Sequence, residues 1–79
     1  MKLYKITSST FKNSIEVYGL SKRGAIKTMI NTLEENMQVV IKVQERTCAN
    51  GEEQLKFITD KGNRYAIIRT VNFVNVTNR

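Results

Sequence analysis

The chain has 79 residues, 41% of them hydrophobic, and carries 13 Lys and Arg against 7 Asp and Glu, a formal net charge of +6. That length suits one domain spanning residues 1–79 with a single thin core, and the apolar content excludes wholesale disorder. Histidine is absent and Cys48 is the only cysteine, which excludes an intramolecular disulfide and a His-based or multi-Cys zinc site within one chain.

The positive excess favours an acidic partner, whether nucleic acid, an anionic membrane surface or an acidic protein face. No apolar run approaches the length of a membrane span, and Met1-Lys2-Leu3-Tyr4-Lys5 has no signal-peptide core. The expectation is a cytoplasmic protein with no membrane partner. A thin core leaves little spare stability, so a homodimer is also an expectation.

Residues 2–8 set Tyr4, Ile6 and Ser8 against Leu3, Lys5 and Thr7, an alternation that predicts a strand. Residues 14–19 repeat it, with Ile15 and Val17 on one face and Glu16 and Tyr18 on the other. The polar stretch Ser9-Thr10-Phe11-Lys12-Asn13 is expected to be the loop of a hairpin.

Gly19-Leu20-Ser21 ends the second strand and opens a helix. The Ser21 hydroxyl is placed to cap it, with Leu20 expected to staple onto Ala25 or Ile26. Ile26, Met29, Ile30, Leu33 and Met37 fall on one stripe, with Lys27, Asn31 and Glu34 opposite. Asn36 is the expected stop. The charges of this helix run against its dipole. Lys22 and Arg23 occupy the first turn and Glu34 and Glu35 the last, although the free N–H groups at a helix start favour anions. An anion bound near Lys22 and Arg23 would account for the mismatch. Gly24, in the same turn, suggests close approach of a sheet or ligand backbone.

Residues 38–47 predict the strongest strand, with Val39, Ile41 and Val43 on one face and Val40, Lys42, Gln44 and Arg46 on the other. Asn50-Gly51 signals a hairpin turn. A strand over 53–59 follows, with Leu55 and Phe57 on one face and Gln54, Lys56 and Ile58 on the other. Asp60-Lys61-Gly62-Asn63 makes a second turn, and residues 64–74 a long last strand. The adjacent Ile67 and Ile68 make its facing ambiguous and suggest a bulge. The tail from Val71 to Val76 reads as an extension of that strand, or as an edge that pairs with another chain. The expected fold is α+β: β-β-α-β-β-β, one antiparallel sheet with a single helix across one face.

Catalytic and cofactor motifs are missing. There is no histidine base, nucleophile motif, phosphate loop or dinucleotide-binding glycine pattern. Glu34-Glu35 and Glu52-Glu53 are sequence neighbours that do not converge on one substrate, and Cys48 has no histidine to activate it. A protein that is not an enzyme and holds no cofactor is expected. What remains is basic surface. If Val39, Ile41, Val43, Leu55 and Phe57 lie beneath the helix, the opposite face collects Lys42, Gln44, Arg46, Lys56 and Ile58. Lys5 and Tyr18 join from the first hairpin, and Tyr65 and Arg69 join if no bulge reverses them. Cations mixed with aromatics suit a phosphate backbone and its bases, or an acidic protein surface.

Ser14-Ile15-Glu16-Val17, Leu20-Ser21 leading into Ala25-Ile26-Lys27, Val40-Ile41-Lys42-Val43 and Asp60-Lys61-Gly62-Asn63-Arg64-Tyr65 follow one another in a further pattern. In that order the chain resembles small phage-encoded anti-CRISPR proteins built from a strand pair, one helix and a strand meander. The resemblance implies a phage or mobile-element protein whose basic residues meet the nucleic-acid-binding groove of a CRISPR surveillance complex and compete with target DNA. The expected function is therefore inhibition or modulation of a host nucleic-acid-handling complex, a protein or ribonucleoprotein. Lys22, Arg23, Lys42, Arg46, Lys56 and Arg69 would make the charge contacts, with Tyr65 as anchor. Direct nucleic-acid binding by the same surface is the alternative.

Overall fold

A computed structural model of the chain describes residues 2–9 and 14–72. Its elements are β1 (Lys2–Ser9), β2 (Ser14–Gly19), α1 (Lys22–Glu35), β3 (Val40–Thr47), β4 (Glu53–Thr59) and β5 (Gly62–Asn72). They form one antiparallel five-stranded sheet in the order β2-β1-β5-β4-β3, with α1 on one face. This is the α+β arrangement expected. The centre of the first hairpin loop and residues 73–79, which hold most of the apolar tail, lie outside the described residues.

Strand β5 joins the hairpin to the meander. Its first half pairs with β4, from Thr59↔Gly62 to Glu53↔Ile68, and its second half with β1, from Ser8↔Ala66 to Lys2↔Asn72. Both registers run without a shift, so the bulge expected at Ile67-Ile68 is absent. Plain alternation instead buries Ile68 under the helix and turns Ile67 to the other face. Val71 and Asn72 pair with β1 on one side, beyond the end of the β4 pairing at Ile68, and the edge strands are β2 and β3.

The bulge falls in β3, between Val40 and Lys42. It reverses the expected phase of the strand's start. Val40 pairs with Thr59 and packs on the core, whereas Val39 is 55% and Ile41 68% exposed. The Asp60 backbone N–H donates to Val39 O at 3.1 Å, and Asp60 Oδ1 accepts from Val39 N at 3.0 Å. These bonds hold Val39 at the mouth of the β4–β5 turn and leave its side chain outside.

The core is Ile6, Val17, Leu55, Phe57, Ala66 and Ile68 from the sheet against Ala25, Met29 and Leu33 from α1. A large aliphatic or aromatic side chain fully removed from water contributes about 1.5–3 kcal/mol, so this one layer carries most of the folding energy. Ser8 is buried with its hydroxyl donating to Tyr65 O at 2.9 Å, and Thr59 Oγ1 donates to Gly62 O at 2.6 Å.

The helix begins as its cap residue predicts. Ser21 has extended backbone angles and its Oγ accepts from Gly24 N at 3.0 Å, a bond of about 1 kcal/mol. Leu20 does not staple: it is 75% exposed. Close approach does occur here, but through Gly19. A Cβ on Gly19 would lie 2.4 Å from Ala25 N, whereas one on Gly24 meets only Ser21 Oγ at 3.2 Å.

At the other end, Met37 N donates to Glu34 O and Gln38 N to Leu33 O, both at 3.0 Å. This paired closure places its key residue, Met37, in the left-handed region at φ 64°. Met37 therefore leaves the apolar stripe and is 79% exposed.

Candidate functional site

One face of the sheet is covered by α1. Alternation puts the other set of strand side chains on the opposite face, which no other described element covers, and the registers arrange them in cross-strand rows. One row reads Tyr18–Lys5–Arg69. The next reads Glu16–Thr7–Ile67–Gln54–Arg46. Then come Tyr65–Lys56–Gln44 and Asn63–Ile58–Lys42. The unbulged β5 keeps Tyr65 and Arg69 on this face. The β3 bulge lies before Lys42, so Lys42, Gln44 and Arg46 also keep the facing expected of them.

Charge is segregated across the two faces. Lys5, Lys42, Arg46, Lys56 and Arg69 share the open face, where Glu16 is the one described carboxylate on the paired strands and Glu52 reaches the rim, its Oε1 accepting from Gln54 Nε2 at 3.0 Å. Lys5 is neutralised by Glu16 at 3.3 Å, and Arg46 Nη2 donates to Gln54 Oε1 at 3.0 Å. Lys42, Lys56 and Arg69 make no ion pair among the described residues. They are cations on a shelf of β-structure, so binding an anion would require little reordering of backbone.

Tyr65 is the most exposed aromatic side chain of the described face, at 64%, with Tyr18 at 48%. Two open depressions flank it. One is lined by Gln44, Glu45, Arg46, Gln54, Leu55 and Lys56 together with Tyr65, the other by Thr7, Gln54, Leu55, Ala66 and Ile67 together with Tyr65. The ring thus has polar and cationic neighbours on one side and the half-buried Ile67 on the other.

Lys22 and Arg23 do not join this face. Lys22 lies on the helix side, where its Nζ is 2.8 Å from Glu45 Oε1 and 2.7 Å from Glu53 Oε1. The hydrogen bonds to Glu45 and Glu53 hold its ammonium well above the usual lysine range. Its role as a contact for a bound anion is therefore corrected: two glutamates already fill that position. They also supply the negative charge that the first turn of α1 lacks. Arg23 is exposed on the helix layer, away from the sheet cations. Among the sequence-predicted contacts, the structure brings together Lys42, Arg46, Lys56, Tyr65 and Arg69.

Among the described residues, no group of three or more His, Cys, Asp or Glu side chains converges as a metal site, and no helix is long and apolar enough to cross a membrane. Sequence reasoning missed Gln54, which lines both depressions beside Tyr65; its place at the centre of the face follows only from the strand order.

No protein-family model, curated protein or solved structure matches the chain.

Proposed function

We propose that this is a non-enzymatic binding protein of phage or mobile-element type that modulates a host nucleic-acid-handling complex through its open sheet face. A CRISPR complex is the candidate that the sequence resemblance suggests. The observation that carries the reading is the segregation of Lys42, Arg46, Lys56 and Arg69 onto the sheet face opposite the helix, where the described carboxylates are Glu16 and, at the rim, Glu52.

Electrostatics narrows the mode of docking. A groove that binds nucleic acid is itself basic, and a basic face is repelled by it. The same face is attracted to the nucleic acid that such a complex holds, where each neutralised phosphate releases counterions. The reading therefore places the open face on the guide or target strand within the complex rather than in an empty groove.

The test is capture from a lysate of the natural host with the wild-type protein and with Lys42→Ala/Lys56→Ala/Arg69→Ala. A nucleic-acid-handling complex retained by the wild type, lost with the triple variant and released by nuclease is the expected result. Retention that survives both the triple variant and nuclease would overturn it.

A further inference from the structure

We infer that the nucleic acid met by the open face is single-stranded, with unpaired bases seated in the two depressions against the Tyr65 ring. This rests on the reading that the open face meets nucleic acid, and it names the form of that nucleic acid.

Three observations carry it. Tyr65 stands 64% exposed in the middle strand of the sheet, where a large aromatic ring gains little from burial and is free to stack. A depression lies on each side of it, and Gln54 borders both. A flat base entering either one meets the ring. Gln54 lies in the same lining with its Oε1 accepting from Arg46 Nη2 and its Nε2 donating to Glu52 Oε1, both at 3.0 Å, which leaves its second amide N–H to donate to a base edge. The cations stand on either side. Lys56 is directly across from Tyr65 and Arg46 is in the next row, while Arg69 lies further along β5. Phosphates on both sides of a stacked base therefore find a positive partner.

A duplex does not satisfy this arrangement. Its bases are already stacked on each other, and the described residues of the open face offer no protruding helix or ribbon to read a major groove. An unpaired strand gives both components at once: π-faces for Tyr65 and phosphates for the cations. RNA and DNA share this chemistry, and the experiment separates them.

The experiment is fluorescence anisotropy with labelled dodecathymidylate, dodecauridylate, a duplex of the same length and an abasic dodecamer that keeps the phosphates. Wild type is compared with Tyr65→Ala, Tyr65→Phe and Tyr18→Ala. The expected result is that the single strands bind more tightly than the duplex or the abasic strand. Tyr65→Ala should weaken single-strand binding by about 5- to 150-fold, the range of one lost base–aromatic stack. Tyr65→Phe should retain affinity, because stacking does not use the hydroxyl. Tighter binding of one of the two single strands names the source and supports the inference. Tyr65 is exposed, so its variants should melt with the wild type, and a melting curve checks that they remain folded.

Equal binding of abasic and normal strands, preference for the duplex, or an unaffected Tyr65→Ala variant would overturn the inference. In those cases loss of binding in Lys42→Ala/Lys56→Ala/Arg69→Ala would leave the polyanion reading standing. If no oligonucleotide binds and the captured complex resists nuclease, both fall together.

Discussion

The Lys22 ammonium lies 2.7 Å from the Glu53 carboxylate, and this contact, shared with Glu45 at 2.8 Å, explains a helix whose charges oppose its dipole. The first turn of α1 has no acidic residue of its own. Tertiary structure delivers the missing negative charge from β3 and β4, and Lys22 is the link.

Replacing Lys22 by Met leaves the Glu45 and Glu53 carboxylates without their shared cation. The Lys22 side chain is 37% exposed, so solvent screens the pair, and a loss of about 1 kcal/mol is expected. Chemical denaturation measures it. The folded-state pKa of Lys22 is raised, so its contribution is fully present below the unfolded-state value of about 10.4 and fades as pH rises above that. The stability difference between wild type and variant should stay flat from pH 7 to about 10 and shrink beyond it. A difference that grows with alkaline pH would contradict the assignment.

Gly19→Ala tests the junction of β2 with the helix. The added Cβ would lie 2.4 Å from Ala25 N and 2.7 Å from Ala25 Cα, both backbone atoms that no rotamer change can move. A loss of about 2–3 kcal/mol is expected from overpacking, read as a drop in the denaturation midpoint. Gly24→Ala meets only the Ser21 hydroxyl at 3.2 Å and should be much milder.

Met37→Gly should stabilise the protein. Met37 holds φ 64° at the helix closure while its side chain is 79% exposed, so glycine relieves the left-handed backbone and forfeits little packing. A gain of about 1 kcal/mol is expected, a rise of roughly 4–8 °C in the thermal midpoint for a domain of this size. A lower midpoint would contradict the exposed, unpacked placement of Met37.

Ile41 is where pattern and structure part most sharply. Alternation from Val43 places Ile41 under the helix, where truncation would cost about 2–5 kcal/mol. The β3 bulge leaves it 68% exposed at a sheet edge, so Ile41→Thr should change stability by no more than about 0.5 kcal/mol.

The elements most legible in the sequence are those with one self-consistent phase. Ile6 in β1, Val17 in β2 and Leu55 and Phe57 in β4 each stand in strict alternation, and each is buried as that alternation predicts. Val39-Val40-Ile41 offers apolar residues in both phases, so local pattern cannot choose between them; the two bonds from Asp60 to Val39 make the choice. Lys22 was legible as a cation at a helix start, but its partner Glu53 lies 31 residues away and no local signal links them. The cations of the open face were readable because β3, β4 and β5 form a plain meander. The central place of Tyr65 and Gln54 depends on β1 pairing with β5, a long-range choice that alternation does not encode.

The salt dependence of single-strand binding separates a contact made by the open sheet face from one made by the helix side. It should be measured for wild type, for Lys42→Ala/Lys56→Ala/Arg69→Ala and for Lys22→Met/Arg23→Ala. Each phosphate contact on a single strand contributes about 0.7 to the slope of log K against log salt. The slope should be shallower by up to about 2 for the open-face triple variant and unchanged for the helix-side pair. An unchanged slope in the triple variant, or a loss confined to the helix-side pair, would contradict contact through the open face.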